Sequence, residues 1–173
     1  MCVGKIMYNE LTAVDIKKMK AELKERINEK RPVLADDVKE ARSLGDLSEN
    51  AEYRSARRAF FRNESRIRFL EKMIKTAKVI EVVSAPDEVG LFDRIVVQYE
   101  DTGDTEELML STTTRLDLAN GIISKESPFG KAILGKKVGD RVFVKVNEDV
   151  SYYVVIKSIT KGEDDESIPL NGF

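Results

Sequence analysis

The 173-residue chain has no histidine, no tryptophan and a single cysteine, Cys2. One cysteine forbids an internal disulfide. Without imidazole, Ser-His-Asp and Cys-His catalysis are excluded, and a zinc site of Cys and His ligands has nothing to be built from. Any metal chemistry must rest on carboxylates and suit a hard ion such as Mg²⁺. No apolar run approaches the ~18–20 residues that span a bilayer. The opening stretch MCVGKIMYNELT lacks the long apolar segment of a signal peptide. The chain is therefore read as cytoplasmic, with no membrane partner.

Hydrophobic residues make up 42% of the chain, enough for a real core, and charged residues 35%, above the ~25% of an average soluble domain. The formal net charge of −2 conceals an asymmetry. Residues 1–80 carry 19 Lys/Arg against 13 Asp/Glu, whereas residues 81–173 carry 10 against 18. Opposite signs in the two halves suggest two units with different partners.

The periodicities divide at the same place. Ile16, Met19, Leu23, Ile27, Leu34, Val38 and Ala41 recur at steps of three, four or seven, one stripe of a long helix. Thr12 is its expected N-cap, and Pro32 predicts a kink or local distortion. Tyr53, Ala56, Phe60, Asn63, Ile67, Leu70, Ile74 and Ala77 alternate steps of three and four, the seam of a coiled coil. Asn63 is the polar seam position, a residue type that fixes register at some cost in stability. The short turn at 45–50 between the stripes makes an antiparallel hairpin about 45 Å long. Beyond Ala77 the apolar runs are short and rich in β-branched and aromatic residues. They are Val79–Val83, Asp93–Tyr99, Glu107–Leu110, Asp140–Val146 and Tyr152–Ile156, with one short helix capped by Ser127-Pro128. The expected class is α+β: a hairpin domain over 1–80, a small β-rich domain over 81–161, and an acidic, disordered tail over 162–173.

Two constellations carry possible chemistry. Asp46 and Glu49, three apart at the hairpin turn, can project on similar sides. The same spacing also fits a capping box at the start of the second helix. Between Arg54 and Lys78, nine Lys/Arg face two acids, Glu64 and Glu71. These cations either pair across the hairpin with Glu22, Glu25, Glu29 and Asp36, or line the rod as a track for a phosphate backbone.

The stretch from Glu40 to Tyr53, with its core Gly45-Asp46-Leu47-Ser48-Glu49-Asn50-Ala51-Glu52-Tyr53, resembles the signature of the bacterial GreA/GreB factors, transcript-cleavage factors of RNA polymerase. Arg31-Pro32 matches an Arg-Pro upstream in that family, and Ile122–Asp140 resembles its second motif. The likeness runs over roughly residues 10–160 and lies nearer GreA. It implies a coiled-coil hairpin followed by an FKBP-like β domain, in a factor acting as a monomer. The β domain would dock at the rim of the polymerase secondary channel, with Ser127 and Pro128 at the contact, and the hairpin would thread inward. Asp46 and Glu49 match the family's acidic tip. There they would share a weakly held Mg²⁺ with the polymerase during hydrolysis of backtracked RNA; no stably bound cofactor is expected. Arg54, Arg57, Arg58 and Arg62 fall near the family's basic patch for the extruded RNA 3′ end. The factor would stimulate the polymerase's own cleavage and not act as a nuclease itself. Two rivals remain: a channel-binding regulator that does not stimulate cleavage, and a prolyl isomerase within residues 83–160. The latter needs an aromatic-lined pocket from Phe92, Phe129, Phe143, Tyr152 and Tyr153.

Overall fold

The computed structural model describes residues 9–43, 50–164 and 166–171. These form two compact units, Ile16–Ala77 on one side and the described residues up to Asp15 together with those from Lys78 onward on the other. The helical unit contains most of α1 (Ala13–Glu25), a π-helical turn (Arg26–Lys30), α2 (Arg31–Ser43) and α3 (Ala51–Thr76). Thr12 and Asp15 cap α1 reciprocally. The Asp15 amide donates to Thr12 Oγ1 at 3.2 Å and the Thr12 amide to Asp15 Oδ2 at 3.0 Å, two otherwise orphaned donors satisfied by one box.

The distortion expected at Pro32 takes the form of the π turn just before it. The Arg31 amide bonds the Arg26 carbonyl, five residues back. Proline has no N–H, and its ring crowds the carbonyl four residues earlier; a wider turn ahead of it relieves both problems without breaking the helix. The polar seam residue uses this distortion. Asn63 is buried on α3, accepts from Arg26 Nη1 at 3.1 Å and donates to the Arg26 carbonyl at 3.4 Å.

Ile67 and Leu70 join Asn63 as buried seam positions. Arg66 is buried as well, unlike a typical seam flank. It makes a two-pronged pair with Glu22 at 2.8 Å on both oxygens, and Arg26 adds a third bond at 2.7 Å. Burial works to raise the Glu22 pKa, but the bonds from Arg66 and Arg26 outweigh it and hold the carboxyl below its ordinary value.

The second unit is a five-stranded sheet in the order β5-β4-β3-β7-β6, from β3 (Arg94–Tyr99), β4 (Thr105–Ser111), β5 (Ile122–Ser124), β6 (Arg141–Lys145) and β7 (Ser151–Thr160). β4 and β5 are parallel and the other neighbours antiparallel. Alternation of Val142 and Val144 with Arg141, Phe143 and Lys145 sends the valines into a core with Ile95, Val97, Leu110, Val154 and Ile156. The helix α4 (Pro128–Ile133) adds Ile133 to that core.

Three expectations change. The run Val79–Val83 is a strand only at β2 (Lys78–Val79), which pairs in parallel with β1 (Glu10–Leu11). That pairing places the first described residues with the β-rich unit instead of with a hairpin domain over 1–80. The tail, expected to be disordered, is tied down over its described residues. The Gly162 amide donates to Asp93 Oδ1 at 3.1 Å, Asp164 pairs with Arg115 at 2.7 Å, Ile168 is buried, and the Asn171 amide donates to the Thr114 carbonyl at 2.8 Å. Composition flagged the acids but not their partner. Arg115 is fully buried, shared between Asp15 at 2.5 Å and Asp164, with its guanidinium 4.9 Å from the centre of the Phe92 ring.

Candidate functional site

Asp46 and Glu49 lie outside the described residues, as does the whole turn 44–49. Its two ends are defined. α3 begins at Ala51 with Asn50 as N-cap, whose backbone is extended (φ −74°, ψ 97°) and whose Oδ1 accepts from the Tyr53 amide at 2.8 Å. The other side of the same amide group donates from Nδ2 to the Ala41 carbonyl near the end of α2, at 2.9 Å. One side chain thus caps α3 and brackets the hairpin. With the cap supplied by Asn50, α3 does not need Asp46 and Glu49 as its capping box.

The basic constellation resolves into two populations. Arg66 is the cation that pairs across the hairpin, with Glu22. Arg54, Arg57, Arg58 and Arg62 are all exposed on α3, and among the described residues Arg57, Arg58 and Arg62 make no ion pair. Of the expected acidic partners, Glu25 is engaged by Lys30 on its own strand of the hairpin at 2.8 Å. Glu64 is taken by Arg31 at 2.7 Å. Pairing across the rod therefore accounts for the buried cation and leaves Arg57, Arg58 and Arg62 available to a polyanion.

Ser127 and Pro128 stand at the start of α4 in the β-rich unit. Ser127 Oγ accepts from the Gly130 amide at 2.9 Å and donates to the Ser124 carbonyl at 2.7 Å, while Pro128 is exposed at the first helical position. Gly130 permits this corner: a Cβ there would lie 2.2 Å from the Ser124 carbonyl oxygen. The adjoining Lys125 is held by Glu10, which Lys78 also engages at 2.8 Å. Hydrogen bonds from Lys125 and Lys78 pull the Glu10 pKa down to about 2. The corner is therefore a braced projection, suited to a contact that needs fixed geometry.

A cavity of about 350 Å³ in this unit is bordered by Ile80, Val82, Val89, Leu91, Leu134 and the charged Glu88, with no aromatic side chain. It does not offer the lining that the isomerase reading requires. Among the described residues no group of three or more Cys, Asp or Glu side chains could hold a metal ion, and no helix is long and apolar enough to cross a membrane.

Two residues of this region were not singled out in the sequence. Asn50 had a legible signal, an Asn directly before a helix-forming run. Phe61 had one too: it breaks the seam pattern by placing an apolar ring on the opposite face.

Residues 9–79 match the family described as transcription elongation factor, N-terminal, and residues 84–161 the one described as transcription elongation factor, GreA/GreB, C-terminal. Transcription elongation factor GreA of Oenococcus oeni is 38% identical over 154 residues, 88% of this chain and 95% of that protein. Its counterpart from Thermotoga maritima is 38% identical over 151 residues, 87% and 97% respectively. Among solved structures, the GreA factor homolog 1 protein of Thermus thermophilus aligns over 88% of this chain and 98% of its own, at 21% identity and a TM-score of 0.39.

Proposed function

Since the chain belongs to the GreA/GreB family of transcription elongation factors over nearly all of its described length, we propose that it binds RNA polymerase and stimulates the polymerase's own cleavage of backtracked RNA. The observation that carries this is the joint match of both halves, in order, in a chain whose tip segment retains Asp46 and Glu49. In this reading the braced Ser127-Pro128 corner docks at the rim of the secondary channel, and the hairpin enters it. Asp46 and Glu49 then bring two carboxylates to the polymerase active site.

Their donor chemistry fits a Mg²⁺ ion, which takes carboxylate oxygens and keeps other ligands from water and phosphate. Asp46 and Glu49 would hold it only in part, so the remaining ligands would come from the polymerase and the RNA. Mg²⁺ held there would supply Lewis-acid stabilisation of the scissile phosphate and a more acidic water. The chain's own contribution is positional: Asp46 and Glu49 complete the ligand set and accept hydrogen bonds from the attacking water, and Arg54, Arg57, Arg58 and Arg62 offset the charge of the extruded RNA. In this proposal the factor stimulates the polymerase's cleavage and is not itself the nuclease, because two carboxylates alone hold Mg²⁺ only weakly.

The test uses stalled, backtracked elongation complexes carrying 3′-labelled RNA with Mg²⁺. Wild-type protein is expected to release labelled 3′ fragments. The Asp46→Asn/Glu49→Gln variant should bind the complex with unchanged affinity and lose at least about 100-fold in rate, the scale of removing preorganised groups at a reacting centre. Absence of stimulation by bound wild-type protein refutes the proposal and leaves a channel-binding regulator. Cleavage of RNA by the factor without polymerase refutes the division of labour.

A further inference from the structure

Phe61 is half exposed, at 50%, in the middle of α3 and on the face away from the buried seam. At about 100° per residue, Arg54, Arg57, Arg58, Phe61, Arg68 and Lys72 fall within roughly 60° of one line along α3, opposite the line of Asn63, Ile67 and Leu70. All six are exposed, and the stripe carries no carboxylate. The Arg57 guanidinium lies 5.3 Å from the centre of the Phe61 ring, and the Phe60 ring meets Phe61 nearly edge-on at 5.9 Å. An isolated exposed phenylalanine is unremarkable on its own. One centred in a band of cations, with a guanidinium already over it, combines the two elements that hold single-stranded nucleic acid: an aromatic face for a base, and positive charge that follows the phosphates.

We infer that Phe61 and Arg57 form a stacking platform for an unpaired base of the RNA that the hairpin meets in the polymerase. Duplex nucleic acid presents no free base face, so the platform selects a single strand. It selects little by sequence, because every base offers a π-face. The charge of the stripe fixes the class of partner: an exposed ring meant for an apolar protein groove has no need of five flanking cations and no acid. The inference rests on the functional reading above and extends it to a residue outside the tip and the arginine set.

The experiment places 2-aminopurine in the extruded 3′ segment of RNA in backtracked polymerase complexes. The factor is added in an Asp46→Asn/Glu49→Gln background, so that the RNA stays intact and stacking is read apart from cleavage. Quenching on addition of this protein is expected, retained with Phe61→Trp and lost with Phe61→Leu. In the cleavage-competent background, Phe61→Leu is expected to raise the factor concentration for half-maximal cleavage by about 5- to 150-fold, the range for loss of one base stack. That penalty should vanish when the RNA segment is abasic. Unchanged quenching and cleavage with Phe61→Leu overturns the inference while leaving the cleavage function intact. Quenching without any cleavage by the wild-type tip overturns the functional reading but keeps the platform. A loss of affinity of Phe61→Leu for RNA-free polymerase would assign the ring to a protein pocket and overturn the inference.

Discussion

Asn50 is the residue on which the geometry of the hairpin end turns, and replacing it separates two roles. In Asn50→Ala the Tyr53 amide loses its capping acceptor, a cost of about 1 kcal/mol with a range of 0.5–2, and the Ala41 carbonyl loses its donor. Ala41 is only 7% exposed, so that carbonyl is poorly placed to find water, and a comparable penalty of about 1 kcal/mol follows. Together these favour opening of the helix end by about 2 kcal/mol, a factor of roughly 30 in local equilibrium. Native-state hydrogen exchange reads this directly. Protection of the Tyr53 amide is expected to fall about 10- to 100-fold, while amides near Ile67 and Leu70 keep theirs.

Asn50→Asp divides the effect. The carboxylate still accepts from the Tyr53 amide and suits the positive end of α3, but it cannot donate to the Ala41 carbonyl. If the bracket across the hairpin matters, protection at the end of α2 falls in both variants and Tyr53 is spared in Asn50→Asp. Asn50→Asp behaving like wild type at both sites would refute the bracket and leave a simple cap. Asn50→Ala behaving like wild type would refute the whole account.

Two further outcomes follow from the β-rich unit. Arg115→Met leaves Asp15, fully buried, without its cation, and is expected to destabilise the protein by about 3–5 kcal/mol; a loss of less than about 1 kcal/mol in urea unfolding would contradict the pairing. Glu10 has a folded pKa of about 2 against an ordinary 4.5. Its stabilising contribution is therefore complete above pH 4.5 and lost as pH falls through 2, so the stability gap between wild type and Glu10→Gln should close between those values. The pairs are partly solvated, so the gap is small and shrinks with salt. A carboxyl signal for Glu10 titrating near 4.5 by NMR would refute the contact with Lys125 and Lys78.

What was legible in the sequence is what depends on local periodicity. The seam through Asn63, Ile67 and Leu70, the Thr12 cap, the Ser127-Pro128 start of α4 and the alternating strands all express spacing between near neighbours, which a linear reading captures. The misses are long-range pairings. β1 meets β2 between residues 68 positions apart in sequence, and two residues of Glu-Leu carry no strand signal of their own. The tail reads as disordered because acids without a core usually are; only the position of Arg115, some 49 residues earlier, turns Asp164 from a solvated charge into a partner. Arg66 likewise reads as a surface cation until Glu22 is brought opposite it. β5 is three residues long and exists because β4 offers it an edge.

The polar contacts along the rod address a problem of register. A hairpin of two long helices held only by apolar side chains tolerates slippage, since one Leu or Ile packs much like another. A one-residue slip moves one helix about 1.5 Å along the other and rotates its face by about 100°. At a reacting centre a displacement near 1 Å is enough to cost about 100-fold. Asn63 makes slippage expensive, because its two bonds are to Arg26, whose carbonyl also accepts from the Arg31 amide in the π turn. No other position on α1 or α2 near it offers that distorted turn. Glu22 adds a second fixed point, since sliding would strand the buried Arg66 guanidinium. With Asn50 bracketing Ala41 about 20 Å farther along α3, the helices are pinned at both ends of the segment leading to residues 44–49. The π turn ahead of Pro32 thus serves the same end as the polar seam: it carries the Arg26 carbonyl that Asn63 bonds, and so helps fix the register of α3 against the helices opposite it.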